Sequence, residues 1–141
     1  MQRSAMRELA FKLIYGLEVQ KENGNFEQVD IFVESNDITD EKVIAYLRDI
    51  QKGLLENTSE INSLIENNLK ENWSLTRVSK INLSLIKIAI YEMLYQGLPY
   101  KVAINEVVEL AKKYSDESAP VFVNGILASI IKDKNLDKKD E

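Results

Sequence analysis

The chain contains no cysteine and no histidine. Without thiols there is no disulfide, no thiolate nucleophile and no thiolate zinc site. Without imidazole the commonest metal ligand and the commonest general base are both missing. A catalyst built on this sequence would have to work with carboxylates, lysines or tyrosines, so catalysis is the disfavoured reading. Glycine and proline are scarce as well, five and two among 141 residues, which argues against a disordered or fibrous chain. No run of about 18 apolar residues occurs; the most apolar stretch, INLSLIKIAIYEMLY, is interrupted by Lys87 and Glu92. The opening MQRSAMRELAFKLIYGL carries charges inside its apolar pattern, unlike a secretory signal. Together these absences predict a soluble, cytoplasmic protein.

The net charge of −5 and a pI near 4.9 would ordinarily speak against nucleic acid. The acidity is concentrated, however. Residues 21–60 hold four basic and ten acidic side chains, whereas the first twenty residues sum to +1 and residues 61–141 to zero. Most of the chain is therefore free to present a basic patch.

What is present is helical periodicity. Ser4 is suited to cap a first helix whose stripe of Leu9, Ala10, Leu13, Ile14 and Leu17 ends near Gln20. KENGN reads as a loop around Gly24, and FEQVDIFVESND as either a short helix or an irregular segment. Asp40 caps a helix through Val43, Leu47, Ile50 and Leu54, and Thr58 or Ser59 starts another through Ile61, Leu64, Ile65 and Leu69. The most apolar helix, Val78 to Gln96, is hydrophobic on nearly every side, the mark of a surrounded element, and Gly97 and Pro99 end it. Helices over about Val102–Tyr114 and Val121–Lys132 follow. No strand alternation, hairpin signal or fixed repeat stands out. The pattern predicts an all-α bundle of six or seven helices in one domain, residues 1–134, followed by a charged tail, 135–141.

Few side chains offer chemistry. Glu106 and Glu109 share a helix, but Glu109 with Lys113 is a favourable i,i+4 ion pair, and no Glu-x-x-His half-motif completes a carboxylate metal site. Gly-rich phosphate loops and nucleophile elbows are absent. Arg3 and Arg7 lie four apart in the first helix, where cations oppose the helix dipole at about 0.3–1 kcal/mol each. Arginines placed against that preference suggest contact with phosphate, although two solvated arginines remain the simpler reading. Phe122 and Asn124 follow Pro120 in the last helix. Phe122 is either core or a stacking face, and Asn124 either meets a base edge or caps a carbonyl. Gly125 beside them costs a helix about 1 kcal/mol against Ala, which points to close approach of a neighbouring backbone. Tyr100 and Lys101 can supply an aromatic face and a phosphate contact. An aromatic platform with scattered cations is how single-stranded RNA is usually held.

PYKVAINEVVELAKKY (99–114) followed by FVNGIL (122–127) resembles the NusB family of bacterial transcription antitermination factors. RELAFKLIY (7–15) looks like that family's opening helix, and WSLTRV with IKIAIYEML resembles its middle helices. The resemblance covers essentially the whole chain and is weakest over residues 21–57.

The resemblance implies a compact all-helical RNA-binding protein with no catalytic activity, metal or cofactor. Such proteins pair with NusE, also a protein of the small ribosomal subunit, and hold boxA-type single-stranded RNA on the transcription elongation complex, mainly in ribosomal RNA operons. Position by position it implies RNA contacts at Arg3, Arg7, Lys101, Phe122 and Asn124, with Tyr100 beside them. It places Tyr15 toward the partner protein, and Asn82 where relatives often carry a carboxylate toward that partner. The basic N-terminus is thinned here by Gln2, Ser4 and Met6, which shifts weight from phosphate contacts to the partner. Some relatives dimerise through the RNA face, so a homodimer is a further implied state. The competing reading, favoured by the acidic pI, is a helical protein-interaction module without RNA contact.

Overall fold

A computed structural model describes residues 1–20 and 26–136, the side chains of residues 26 and 27 excepted. The loop expected around Gly24 and the end of the charged tail, residues 137–141, lie outside the described residues. Helices account for all the regular structure among them. The chain divides into two compact units, Met1–Asn57 and Thr58–Glu141.

The first unit contains α1 (Arg3–Gln20), α2 (Phe26–Ser35) and α3 (Glu41–Glu56), with α3 packed against both α1 and α2. Ser4 lies inside α1 rather than capping it, and the carbonyl of Gln2 takes the Met6 N–H at 3.1 Å. Asp40 caps α3 as expected, its Oδ1 accepting from Lys42 N–H at 2.9 Å. The segment left open between helix and irregular chain is α2. It contributes the fully buried Val29 and an ion pair from Asp30 to Arg48 on α3.

The second unit contains α4 (Thr58–Asn67), a 3₁₀ turn (Leu75–Arg77), α5 (Lys80–Tyr95), α6 (Tyr100–Tyr114) and α7 (Ala119–Asp133). Helices α5, α6 and α7 pack on one another, and α4 meets α5 and α7. The side chain of Ser79 caps α5 by accepting from Asn82 N–H at 3.1 Å. Eleven of the sixteen residues of α5 are buried, among them Leu85, Ile86, Ile88 and Ile90 at zero exposure. A helix apolar all round is satisfied only by neighbours on several sides, as its composition predicts. Gly97 ends it in the left-handed region at φ 68°, where any other residue would be strained, and Leu98 N–H bonds back to the Glu92 carbonyl at 2.9 Å. Pro99 then begins α6, and Pro120 sits in the first turn of α7 where its missing donor costs nothing.

Burial, and next the Glu60 carboxylate beside it, push the Tyr95 phenol up to about 12. A raised acid constant favours the neutral form in the folded chain. This stabilisation is fully present below the ordinary value near 10 and is lost as pH rises through about 12. In an alkaline ultraviolet titration, one tyrosine is expected to ionise about two pH units late, and Tyr95→Phe to remove that late phase. If every phenol titrated together near pH 10, the assignment would be wrong.

Candidate nucleic-acid interface

Helices α6 and α7 enclose a groove of about 490 Å³. Tyr100, Ile104 and Val108 recur along α6 at the four-residue spacing that keeps side chains on one face, and Asn124, Ala128 and Ile131 answer from α7. The floor is apolar and the rim is polar: Lys101 and Asn105 from α6, Asn124 and Lys132 from α7. The Lys101 ammonium lies 5.9 Å from the centre of the Tyr100 ring, so cation and aromatic face are presented together. Lys101 and Asn124 are exposed and Tyr100 half-buried. Three of the expected RNA contacts thus share one groove. Lys132 joins them unforeseen, although its spacing of eight from Asn124 already placed it on the same face of α7.

Phe122 is elsewhere. Two residues along a helix is a rotation of about 200°, so Phe122 and Asn124 must look to opposite sides of α7. Phe122 faces a second groove, of about 530 Å³, whose far wall is Trp73. The two rings lie 5.9 Å apart at 36°. Phe122 is half-buried, not enclosed. Gly125 lines this groove too, and the expectation of a close backbone neighbour is overturned. A Cβ added there would meet nothing within 4 Å.

The expected residues of the first unit divide likewise. Arg3 is exposed at the start of α1, but Arg7 is 2% exposed, so the expected phosphate-facing arginine is in fact an enclosed one. The reason is register: Arg7 shares the i, i+3, i+4, i+7 stripe with Ala10, Phe11 and Ile14, all buried. Tyr15 is half-buried with its ring stacked on Phe11 at 5.9 Å.

In the second unit Asn82, expected on a partner surface, is 8% exposed, and its Oδ1 accepts from the Ser115 hydroxyl at 2.9 Å. A carboxamide so engaged ties the start of α5 to the end of α6. Asn82→Ala is expected to cost about 1–2 kcal/mol of stability through the orphaned hydroxyl. Equal melting curves for variant and wild type would count against that tie.

Among the described residues the protein is of the all-helical class, with exposed cations beside aromatic rings on its last two helices. The comparisons with known proteins narrow the class. The NusB family model matches residues 4–132. A transcription antitermination protein NusB of Acetivibrio thermocellus is 44% identical over 135 residues, covering 95% of this chain and 91% of that protein. Its counterpart in Clostridium novyi is 41% identical, covering 94% and 99%. Among solved structures, NusB of T. maritima superposes with a TM-score of 0.84 at 33% identity, covering 98% of both chains. A structure of antitermination factors NusB and NusE in complex with dsRNA matches with a TM-score of 0.82 at 26% identity, covering 93% and 96%. The chain belongs to the NusB family. Among the described residues, no helix is long and apolar enough to cross a membrane.

Proposed function

We propose that this protein is a transcription antitermination factor that binds boxA-type single-stranded RNA together with NusE on the elongating RNA polymerase, supporting ribosomal RNA transcription. It acts in the cytoplasm, by binding and not by catalysis, and needs no metal or cofactor. The observation that carries the reading is the placement of exposed cation and amide groups beside half-buried aromatic rings along α6 and α7: Lys101 with Tyr100 and Asn124 in one groove, Phe122 on the other side of α7. Lys101 supplies a phosphate contact, Tyr100 and Phe122 supply stacking faces, and Asn124 supplies donors and an acceptor for a base edge. Arg3 adds a second phosphate contact from the first unit. Arg7 belongs to this set only through the helix it holds in place, because its own side chain is enclosed. Tyr15 and Asn82 remain the proposed partner-side positions, Tyr15 by contact and Asn82 by fixing the start of α5.

Two phosphate contacts give a shallow salt dependence on single-stranded RNA, a slope of about −1.5. Against a net charge of −5 that attraction is weak, so the partner and the stacking faces must supply the rest. Gel shifts with a boxA-type oligoribonucleotide, with and without NusE, test the reading. A shifted species strengthened by NusE is expected. Binding of NusE with no RNA retained at any salt would favour the protein-interaction module instead.

A further inference from the structure

The groove between α6 and α7 holds more than RNA contacts at its rim would use. Its floor is aliphatic, formed by Ile104 and Val108 from α6 and by Ala128 and Ile131 from α7. Only residues 115–118 separate the two helices, so a pair packed side by side must run antiparallel. Lys101 near the start of α6 and Lys132 near the end of α7 therefore stand at one end of the groove, beside the Tyr100 ring. Asn124, near the start of α7, stands towards the other end, with Asn105 between. All four of these polar side chains are exposed. Among the described residues no carboxylate lines the groove, and Asp133, next to Lys132, is turned to Asn68, which donates to it at 3.2 Å. In a chain of net charge −5 this groove is locally cationic.

Three kinds of occupant can be compared by their chemistry. A nucleic-acid base stacks on aromatic faces, and this floor is aliphatic with one ring, Tyr100, at its end. A helix satisfies its own backbone and has no use for carboxamides along the rim. An extended peptide uses every feature present. Its apolar side chains fit the floor, and its N–H and C=O groups suit Asn105 and Asn124, each of which carries donors and an acceptor in one amide. A carboxylate at its end suits the two lysines. From Tyr100 to Val108 the floor spans about 12 Å at 1.5 Å per residue, the reach of about four extended residues.

We infer that the α6–α7 groove is a docking site for an extended peptide segment of a partner protein, apolar in its middle and ending in carboxylates. The carboxylates sit on Lys101 and Lys132, the apolar side chains on Ile104 and Ile131, and the backbone on Asn105 and Asn124. The site goes beyond the RNA reading and does not rest on it. The two meet at Lys101 and Asn124, so where the RNA reading holds, peptide and RNA exclude each other from those side chains.

The probe is the acetylated tetrapeptide Ala-Val-Leu-Glu with a free C-terminal carboxylate, titrated into the full-length, isotope-labelled protein and followed by nuclear magnetic resonance. Saturable binding with a Kd below about 1 mM is expected, with the side-chain amide signals of Asn105 and Asn124 shifting along one curve. A control peptide ending in Lys with an amidated terminus is expected to bind about tenfold more weakly or worse. Lys132→Ala, at a residue with no part in the proposed RNA contacts, is expected to weaken the peptide about three- to fivefold. Ala128→Leu, which fills the floor, is expected to weaken it about tenfold with the melting temperature unchanged. Neither variant should change affinity for a boxA-type oligoribonucleotide. No saturable shift by about 1 mM, or equal binding of the control peptide, would overturn the docking site and leave the RNA reading untouched. Loss of RNA affinity in Lys132→Ala and Ala128→Leu, with the peptide unaffected, would assign the groove to nucleic acid and likewise overturn it. Peptide binding that leaves RNA affinity whole would uphold the docking site and remove Lys101 from the RNA contacts. Should Ala128→Leu unfold, Lys132→Ala on the exposed rim decides the matter.

Discussion

Arg7→Ala is expected to lower the stability of the protein by about 2–5 kcal/mol, the range for truncating a large buried side chain. The residue is 2% exposed and lies on the buried stripe of α1. Its long stem packs as an apolar residue would, and its charge is enclosed with it. Truncation removes that packing and leaves a void between elements that relax only in part. A midpoint drop on the order of 10 °C in thermal unfolding is expected. Arg7→Met, which keeps an apolar stem of similar length, is expected to recover part of the loss. RNA binding by the folded fraction of Arg7→Ala should keep the wild-type salt slope, whereas Arg3→Ala should reduce it by about 0.7. The reverse pattern, an unchanged melt with a shallower slope for Arg7→Ala, would show that Arg7 leaves its enclosure to meet phosphate.

Phe122→Ala should weaken RNA binding by about 1–3 kcal/mol, five- to 150-fold, with the salt slope unchanged, because stacking carries no counterion release. The ring is half-buried against Trp73 at 5.9 Å, so the variant also loses an aromatic pair worth about 0.5–1.5 kcal/mol of stability. The two losses are separable. Stability is read from the melt, affinity from titration well below the transition, and Phe122→Leu keeps apolar bulk while removing the ring. Leucine is expected to restore most of the stability and little of the affinity. Full recovery of RNA binding by leucine would mean that Phe122 supports the groove by volume alone and does not stack.

Most of the helices were legible because their signals are local. Asp40 and the Val43–Leu47–Ile50 stripe announced α3, and Gly97 with Pro99 announced the break between α5 and α6. Capping and periodicity act within a turn or two, so the sequence holds all the information they need. The central place of α5 was equally plain, since a helix apolar all round has one stable environment. Ser4 misled because a hydroxyl near a helix start is only a candidate cap, and α1 begins one residue earlier.

The candidate site was legible in its residue types and not in its geometry. Tyr100, Lys101 and Asn124 converge because α6 and α7 pack side by side, yet Phe122, two residues from Asn124, serves the opposite groove. Trp73 had no periodic signal, since it lies outside the regular helices before the 3₁₀ turn, and only the approach of α7 makes it a wall. By itself the sequence determined that the chain is helical, where α3 begins and α5 ends, and which helix is surrounded, because these follow from local capping, backbone propensity and apolar spacing. Only the tertiary structure decided that Arg7 and Asn82 are enclosed, that Gly125 faces open space, and that α7 divides two grooves. Those facts depend on which neighbour covers each face of a helix, and no interaction within a single helix specifies its neighbour.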